Sequence, residues 1–186
     1  MNNGYTNEKR RLVNPIFIID YYCEMTITKR SGKEFKVLFD AEKLSIIENH
    51  TWIINAQGYA ATRVFDDRYK HKQRTIMMHW VAFGRKPTKG MHLDHISGVR
   101  TDNRSLNIRE CTPSQNHQNR RPQGKTSKYK GVTWMKSHNS WRVGIRVDGH
   151  LICLGNFKDE QKAALAYDEG AKKYFGDYAY LNFKNE

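Results

Sequence analysis

Trp141–Gly176 reads WRVGIRVDGHLICLGNFKDEQKAALAYDEGAKKYFG. Trp141, Val143, Ile145 and Val147 alternate with Arg142, Gly144 and Arg146, the period of a strand with one buried face. Asp148-Gly149 supplies a two-residue hairpin turn, so Leu151–Phe157 is expected to return as the next strand. Asp159 is placed to N-cap a helix running to about Phe175, with Gly176 to end it. Ala163, Ala166, Tyr167, Gly170, Ala171 and Tyr174 fall on one helical stripe, and its small residues let the helix lie close on a sheet. The expected unit is a three-stranded antiparallel sheet packed on one helix. Arg142 and Arg146 are left on the outer face of that sheet.

Outward from this stretch, the charge is uneven. The 186 residues hold 32 Lys+Arg against 19 Asp+Glu, a formal charge of +13. Residues 1–60 carry 8 basic and 7 acidic side chains, residues 61–119 carry 11 and 5, and residues 120–186 carry 13 and 7. Between 120 and 150, eight basic residues face Asp148 alone, interleaved with Tyr129, Trp134 and Trp141. Such a basic surface concentrates a polyanion and releases its counterions, so nucleic acid is the leading partner. An anionic membrane is disfavoured, because no amphipathic basic helix is present. With 38% hydrophobic and 12% aromatic residues, the chain is not a disordered basic tail. No stretch reaches the ~20 apolar residues of a membrane span, and the start, MNNGYTNEKRRLVN, lacks the apolar run of a signal peptide. A soluble, cytoplasmic protein is expected. Cys23, Cys111 and Cys153 are odd in number and widely spaced, which argues against a disulfide framework and a cysteine-ligated zinc site.

Upstream, NRRPQGKT at Asn119–Thr126 reads as a basic linker, assigned to 121–126. Residues 15–90 contain short β-rich runs at Tyr21–Thr28, Phe35–Phe39, Trp52–Ile54 and Tyr59–Val64, with turn residues at Ser31-Gly32 and Gln57-Gly58. They predict one small antiparallel sheet with a helical turn around Ala41–Glu48. Between these regions, Gly90–Asn119 reads GMHLDHISGVRTDNRSLNIRECTPSQNHQN, dense in Asp, His and Asn. Adjacent Asp94 and His95 point opposite ways from a strand, so one is suited to bind a cation and the other to face a water. Gly98 and Asp102-Asn103 are turn formers that would fold the second half back onto the first. Thr112-Pro113-Ser114 looks like a helix start, with Asn116 and Asn119 in its first turns. His79 and His92 are read as packed or solvated, and Asn119 as a phosphate contact or plain surface polarity.

This arrangement resembles the HNH nucleases, in particular the phage-type homing endonucleases. The matching residues are Asp94-His95-Ile96, Gly98, Asp102-Asn103-Arg104, Asn107 and Ser114-Gln115-Asn116, with Gly58-Tyr59 and Met78-His79 as lead-in. The resemblance spans roughly 35–120 and implies a ββα-metal fold, preceded by a β-rich extension over 1–34. Phosphodiester hydrolysis needs an activated water and a cation beside the developing charge. By resemblance His95 is the general base, Asp94 and Asn116 are oxygen ligands to one Mg²⁺ or Mn²⁺, and Asn107 braces the loop that aims His95. The family often has His where this chain has Asn116, which favours an oxygen-loving cation over zinc.

Residues 127–183 resemble the ethylene-response-factor (Apetala-type) DNA-binding domain. The match runs through Tyr129-Lys130-Gly131-Val132, Trp141-Arg142-Val143, Leu154-Gly155-Asn156-Phe157, Ala163–Asp168, Ala171, Phe175-Gly176 and Leu181-Asn182-Phe183. It implies a sheet laid in the major groove of double-stranded DNA, with Lys130, Lys136, Arg142 and Arg146 as contacts. Thr133, Gly144 and Cys153 depart from the family at contact positions, so its base preference does not carry over. The whole is expected to be an α+β, monomeric, metal-dependent DNA endonuclease without a small-molecule cofactor. A non-cutting DNA-binding regulator is the alternative.

Overall fold

The structure, a computed structural model, describes residues 14–68, 73–124 and 126–183. The first thirteen residues of the expected 1–34 extension, and Lys125 of the linker, lie outside the described residues. In chain order the elements are β1 (Ile16–Ile19), β2 (Tyr22–Thr28), β3 (Glu34–Asp40), α1 (Leu44–Ile47), β4 (Ile53–Ile54), β5 (Ala60–Phe65), β6 (Gln73–Met77), α2 (Met78–Phe83), β7 (His92–His95), β8 (Asp102–Asn103), β9 (Ile108–Cys111), α3 (Pro113–Gln118), β10 (Val132–Met135), β11 (Ser140–Val147), β12 (His150–Phe157) and α4 (Glu160–Phe175). The chain is α+β, as its pattern predicts. Its described residues form two compact units, residues 14–88 with 99–110, and residues 89–98 with 111–183.

In the first unit β2 and β3 form a hairpin, with Cys23 opposite Phe39 and Met25 opposite Val37. All four side chains are essentially fully buried, because the period-2 alternation puts them on one face. The turn uses Gly32 at a φ of 80°, where a glycine carries no steric penalty. The structure resolves two sheets where the β-rich runs predict one, with strand orders β1-β2-β3-β8 and β4-β5-β6. The element β6 and the helix α2 have no counterpart in the sequence reading. In Thr75–Phe83 the period changes from two to about 3.6 between Met77 and Met78, with no Gly, Pro, Asn or Asp to mark the switch. Asp102-Asn103 is likewise not a turn. It lies parallel to β3, Leu38 opposite Asp102 and Phe39 opposite Asn103, and both residues are buried. Trp52 fills the core and donates its indole N–H to Ile47 O at 2.8 Å, so its one polar atom is satisfied.

In the second unit β10, β11 and β12 form the expected antiparallel sheet. Asp148 and Gly149 turn the hairpin at φ values of 48° and 84°, the left-handed pair that a two-residue turn of this hand needs. Asp159 caps α4, its side chain accepting from Lys162 N at 2.7 Å. The buried stripe of α4 is Ala163, Ala164, Tyr167, Asp168, Gly170 and Ala171. It differs from the predicted stripe in gaining Ala164 and Asp168 and losing Ala166, which is half-buried, and Tyr174, which is exposed. Asp168 is buried because Oδ1 and Oδ2 accept from Asn182 N at 2.8 Å and Phe183 N at 2.9 Å. Asn182 in turn accepts from Lys130 N at 2.7 Å. Two glycines permit close approach. A Cβ on Gly131 would stand 2.0 Å from the Tyr167 ring, and one on Gly170 would stand 2.4 Å from Leu154.

Candidate active site and nucleic-acid face

The second unit also holds β7 and α3, and the candidate chemistry lies between them. α3 starts where Thr112 caps it: Thr112 Oγ1 accepts from Gln115 N at 3.2 Å, and Gln115 Oε1 accepts from Thr112 N at 2.8 Å. That reciprocal pair, with Pro113 in the first turn, fixes the helix register. Asn116 and Asn119 are therefore one turn apart on the same side.

Along β7, side chains two residues apart share a face, so His92 and Asp94 form a row. The structure joins the two rows. Asn116 Nδ2 lies 3.0 Å from His92 Nδ1, and Asn119 Nδ2 donates to Asp94 Oδ2 at 2.9 Å. The Asn119 amide also donates to His95 O at 3.0 Å and Ile96 O at 3.3 Å. Asp94 is 8% exposed and His95 4%, so the pair is built into the unit rather than displayed on a loop. After His95 the chain turns at once: Gly98 N donates to His95 O at 2.8 Å, with Gly98 at a φ of 71°.

Asn107 belongs to the first unit. There its Nδ2 donates to Asp102 O at 2.7 Å, and Asp102 holds Arg104 through two contacts of 2.8 Å. The Asp102 carboxylate raises the Arg104 guanidinium pKa further above its ordinary value. Asn107 thus ties the 102–107 loop to itself. His79, part of the lead-in, is buried and meets the Tyr59 ring edge-on at 5.3 Å.

The structure brings Asp94, His95, Asn116, Asn119 and His92 into one unit. The last two have tethering roles there that the sequence reading does not assign. The signal for both lies in spacing: residues 92 and 94 share a strand face, and 116 and 119 share a helix face. Among the described residues, no three or more His, Cys, Asp or Glu side chains gather to hold a metal. The donors that fit a cation are the Asp94 carboxylate and the Asn116 amide oxygen. Both are hard oxygen atoms, and Mg²⁺ is commonly held by one or two such groups while keeping waters or phosphate oxygens.

On the outer face of the β10–β12 sheet, Arg142 stands between Thr133 and Asn156 across the strands. Arg146 is exposed, and its Nη1 donates to Gly149 O at 2.7 Å. Lys136 is exposed in a short turn, Lys136–His138. Trp141 packs inward, with the Trp134 ring 4.9 Å away. Lys130 is placed differently from these three cations. Its Nζ donates to Gln118 O at the end of α3, and it lies over the Tyr180 ring at 5.4 Å. Burial, with Arg120 nearby, lowers its pKa to about 8.

The strand carrying Asp94-His95, the tight turn at Gly98 and the helix carrying Asn116 all lie within one stretch that resembles a known family. Residues 70–118 match the HNH endonuclease family model. An uncharacterized HNH endonuclease of Acanthamoeba polyphaga mimivirus is 27% identical over 166 residues, covering 89% of this chain and 84% of that protein. A second relative, protein 3.8 of Escherichia phage T7, is 34% identical over 82 residues, 44% of this chain and 67% of its own length. Similarity of another kind links 64 residues, 34% of this chain, to an AP2-like ethylene-responsive transcription factor of Arabidopsis thaliana. The two are 39% identical, over 13% of that protein.

Proposed function

We propose that this chain is a divalent-cation-dependent endonuclease of the homing type. It hydrolyses phosphodiester bonds in duplex DNA and docks through its C-terminal sheet–helix module. The observation that carries the reading is the β7–α3 lattice, in which Asn119 pins Asp94 and the His95 backbone while Asn116 holds the neighbouring place. His95 accepts the proton of the attacking water, a role imidazole suits near neutral pH. Asp94 and Asn116 hold the cation, which supplies charge stabilisation at the phosphorus and at the leaving 3′ oxygen. Asn107, by tying its own loop, fixes the segment that follows the Asp-His pair. Arg142, Arg146 and Lys136 are the cations offered to DNA. Arg142 is flanked by polar Thr133 and Asn156, a setting suited to reading a base edge. One site per chain gives a nick per visit.

Incubating supercoiled plasmid with the protein and Mg²⁺ or Mn²⁺ should yield nicked product that EDTA prevents. If no divalent ion gives nicked or linear DNA while duplex binding persists, the non-cutting regulator is the correct reading.

A further inference from the structure

The geometry points to His92 as a positioning residue for the cation site. Its Nδ1 accepts a hydrogen bond from the Asn116 side-chain amide and so turns Asn116 Oδ1, the only ligating atom of that group, toward the cation. The inference rests on the reading of Asp94 and Asn116 as cation ligands.

A carboxamide rotates about a broad, nearly two-fold terminal torsion, so an unrestrained Asn presents either its NH₂ or its oxygen. Only the oxygen binds a hard cation. With Asn116 Nδ2 at 3.0 Å from His92 Nδ1, the NH₂ end is occupied, because an amide nitrogen donates and a ring nitrogen with a lone pair accepts. His92 Nδ1 is then the unprotonated nitrogen and Nε2 carries the hydrogen. Among the described residues Asn116 Oδ1 accepts no hydrogen bond, so the contact spends the donor and keeps the acceptor for a ligand. The strand supplies the placement, since His92 is two residues before Asp94 and shares its face. On α3, Asn116 and Asn119 answer these two positions. His92 is exposed and little of its surface is packed, so its contact with Asn116 contributes more to ligand orientation than to the core.

The test uses the full chain without DNA. Mn²⁺ is titrated in and the free-ion electron paramagnetic resonance signal is followed, for wild type, His92→Ala, His92→Asn and Asp94→Ala. His92→Ala should weaken Mn²⁺ binding about three- to tenfold, the size of one net hydrogen bond. His92→Asn should restore it, since Asn Oδ1 takes the place of His Nδ1 as acceptor. The melting temperature should stay within about 1 °C, as expected when no buried group is removed. In plasmid cleavage, the Mn²⁺ concentration for half-maximal rate should rise in His92→Ala while the rate at saturating Mn²⁺ holds. Wild-type Mn²⁺ affinity in His92→Ala overturns the proposal, as does an Asn variant no better than Ala. Binding that Asp94→Ala abolishes but His92→Ala leaves alone sinks the positioning role and spares the ligand reading. Wild type that binds no Mn²⁺ overturns both.

Discussion

The second unit contains two pieces of structure built on different physics. Residues 127–183 are held by apolar periodicity and close approach: Val132, Val143 and Ile145 meet Ala163, Tyr167 and Ala171 in one cluster. The β7–α3 pair is held by side-chain tethers, with the Asn119 amide on three acceptors and the capping pair at Thr112. In the first piece the outer face can change without touching the core. In the second, the groups that fold the chain stand beside those that would do chemistry, so few substitutions there affect one property alone.

His95→Ala tests that contrast most strongly. Cleavage should fall by about 10²–10⁴-fold, the usual share of a general base, and because His95 is buried the melting temperature should fall with it, while DNA affinity stays near wild type. Turnover at the wild-type rate removes His95 from the mechanism. Gly131→Val attacks the packed piece instead. Gly131 has a φ of 74°, and a Cβ there meets Tyr167 at 2.0 Å and Gly144 O at 2.9 Å. Overpacking and backbone strain together should cost about 3 kcal/mol or more, read by urea unfolding. A loss under about 1 kcal/mol would mean that Tyr167 moves freely aside.

Asn119→Ala lies between these two. It leaves Asp94 Oδ2, His95 O and Ile96 O without their shared donor, which should cost about 1–3 kcal/mol. It should also lower cleavage, because Asp94 loses its anchor. Full stability with full activity in that variant would break the lattice argument.

The legibility of the two pieces follows the same division. Both strands of the Asp148-Gly149 hairpin and both ends of α4 are readable, since alternation, a turn pair and caps are local and repeat along the chain. Two predicted stripe members are misplaced: Ala166 sits at the edge of the buried stripe, and Tyr174 lies at the end of α4, where helical period alone cannot say how far the packing extends. Asp168 is buried for a reason set fourteen residues away, at Asn182. In the central segment, residue type and spacing pick out Asp94, His95 and Asn116, but the bonds that place them do not repeat. The tether from Asn119 spans twenty-five residues, and Asp102-Asn103 reads as a turn locally yet is claimed by β3. Nothing periodic encodes such contacts.

A smaller effect should follow on the outer face. Arg142→Ala is expected to lower the salt slope of DNA binding by about one if the guanidinium meets a phosphate. It should cost roughly 1–3 kcal/mol at one base position if the contact is to a base edge. Stability should hardly change in either case, because the core lies on the opposite face. Binding with unaltered slope and affinity would remove Arg142 from the interface.

The smallest effect concerns Lys130, which joins the two pieces through Gln118 O. Tyr180 N also donates to that carbonyl, at 3.3 Å, so Lys130→Met leaves it one partner and should destabilise only modestly near neutral pH. The pH dependence is the sharper readout. Burial, with Arg120 adding repulsion, lowers the Lys130 pKa from 10.5 to about 8. Between those values the unfolded chain keeps the proton that the folded chain releases, so raising the pH favours the fold. The resulting contribution is complete above 10.5 and is lost as pH falls through about 8. Wild type should therefore gain melting temperature relative to Lys130→Met between pH 7.5 and 9.5, since every other titrating group is common to both proteins. A constant difference across that range would mean that the ammonium is as well solvated at Gln118 as in the unfolded chain, leaving Lys130 available to DNA like Lys136.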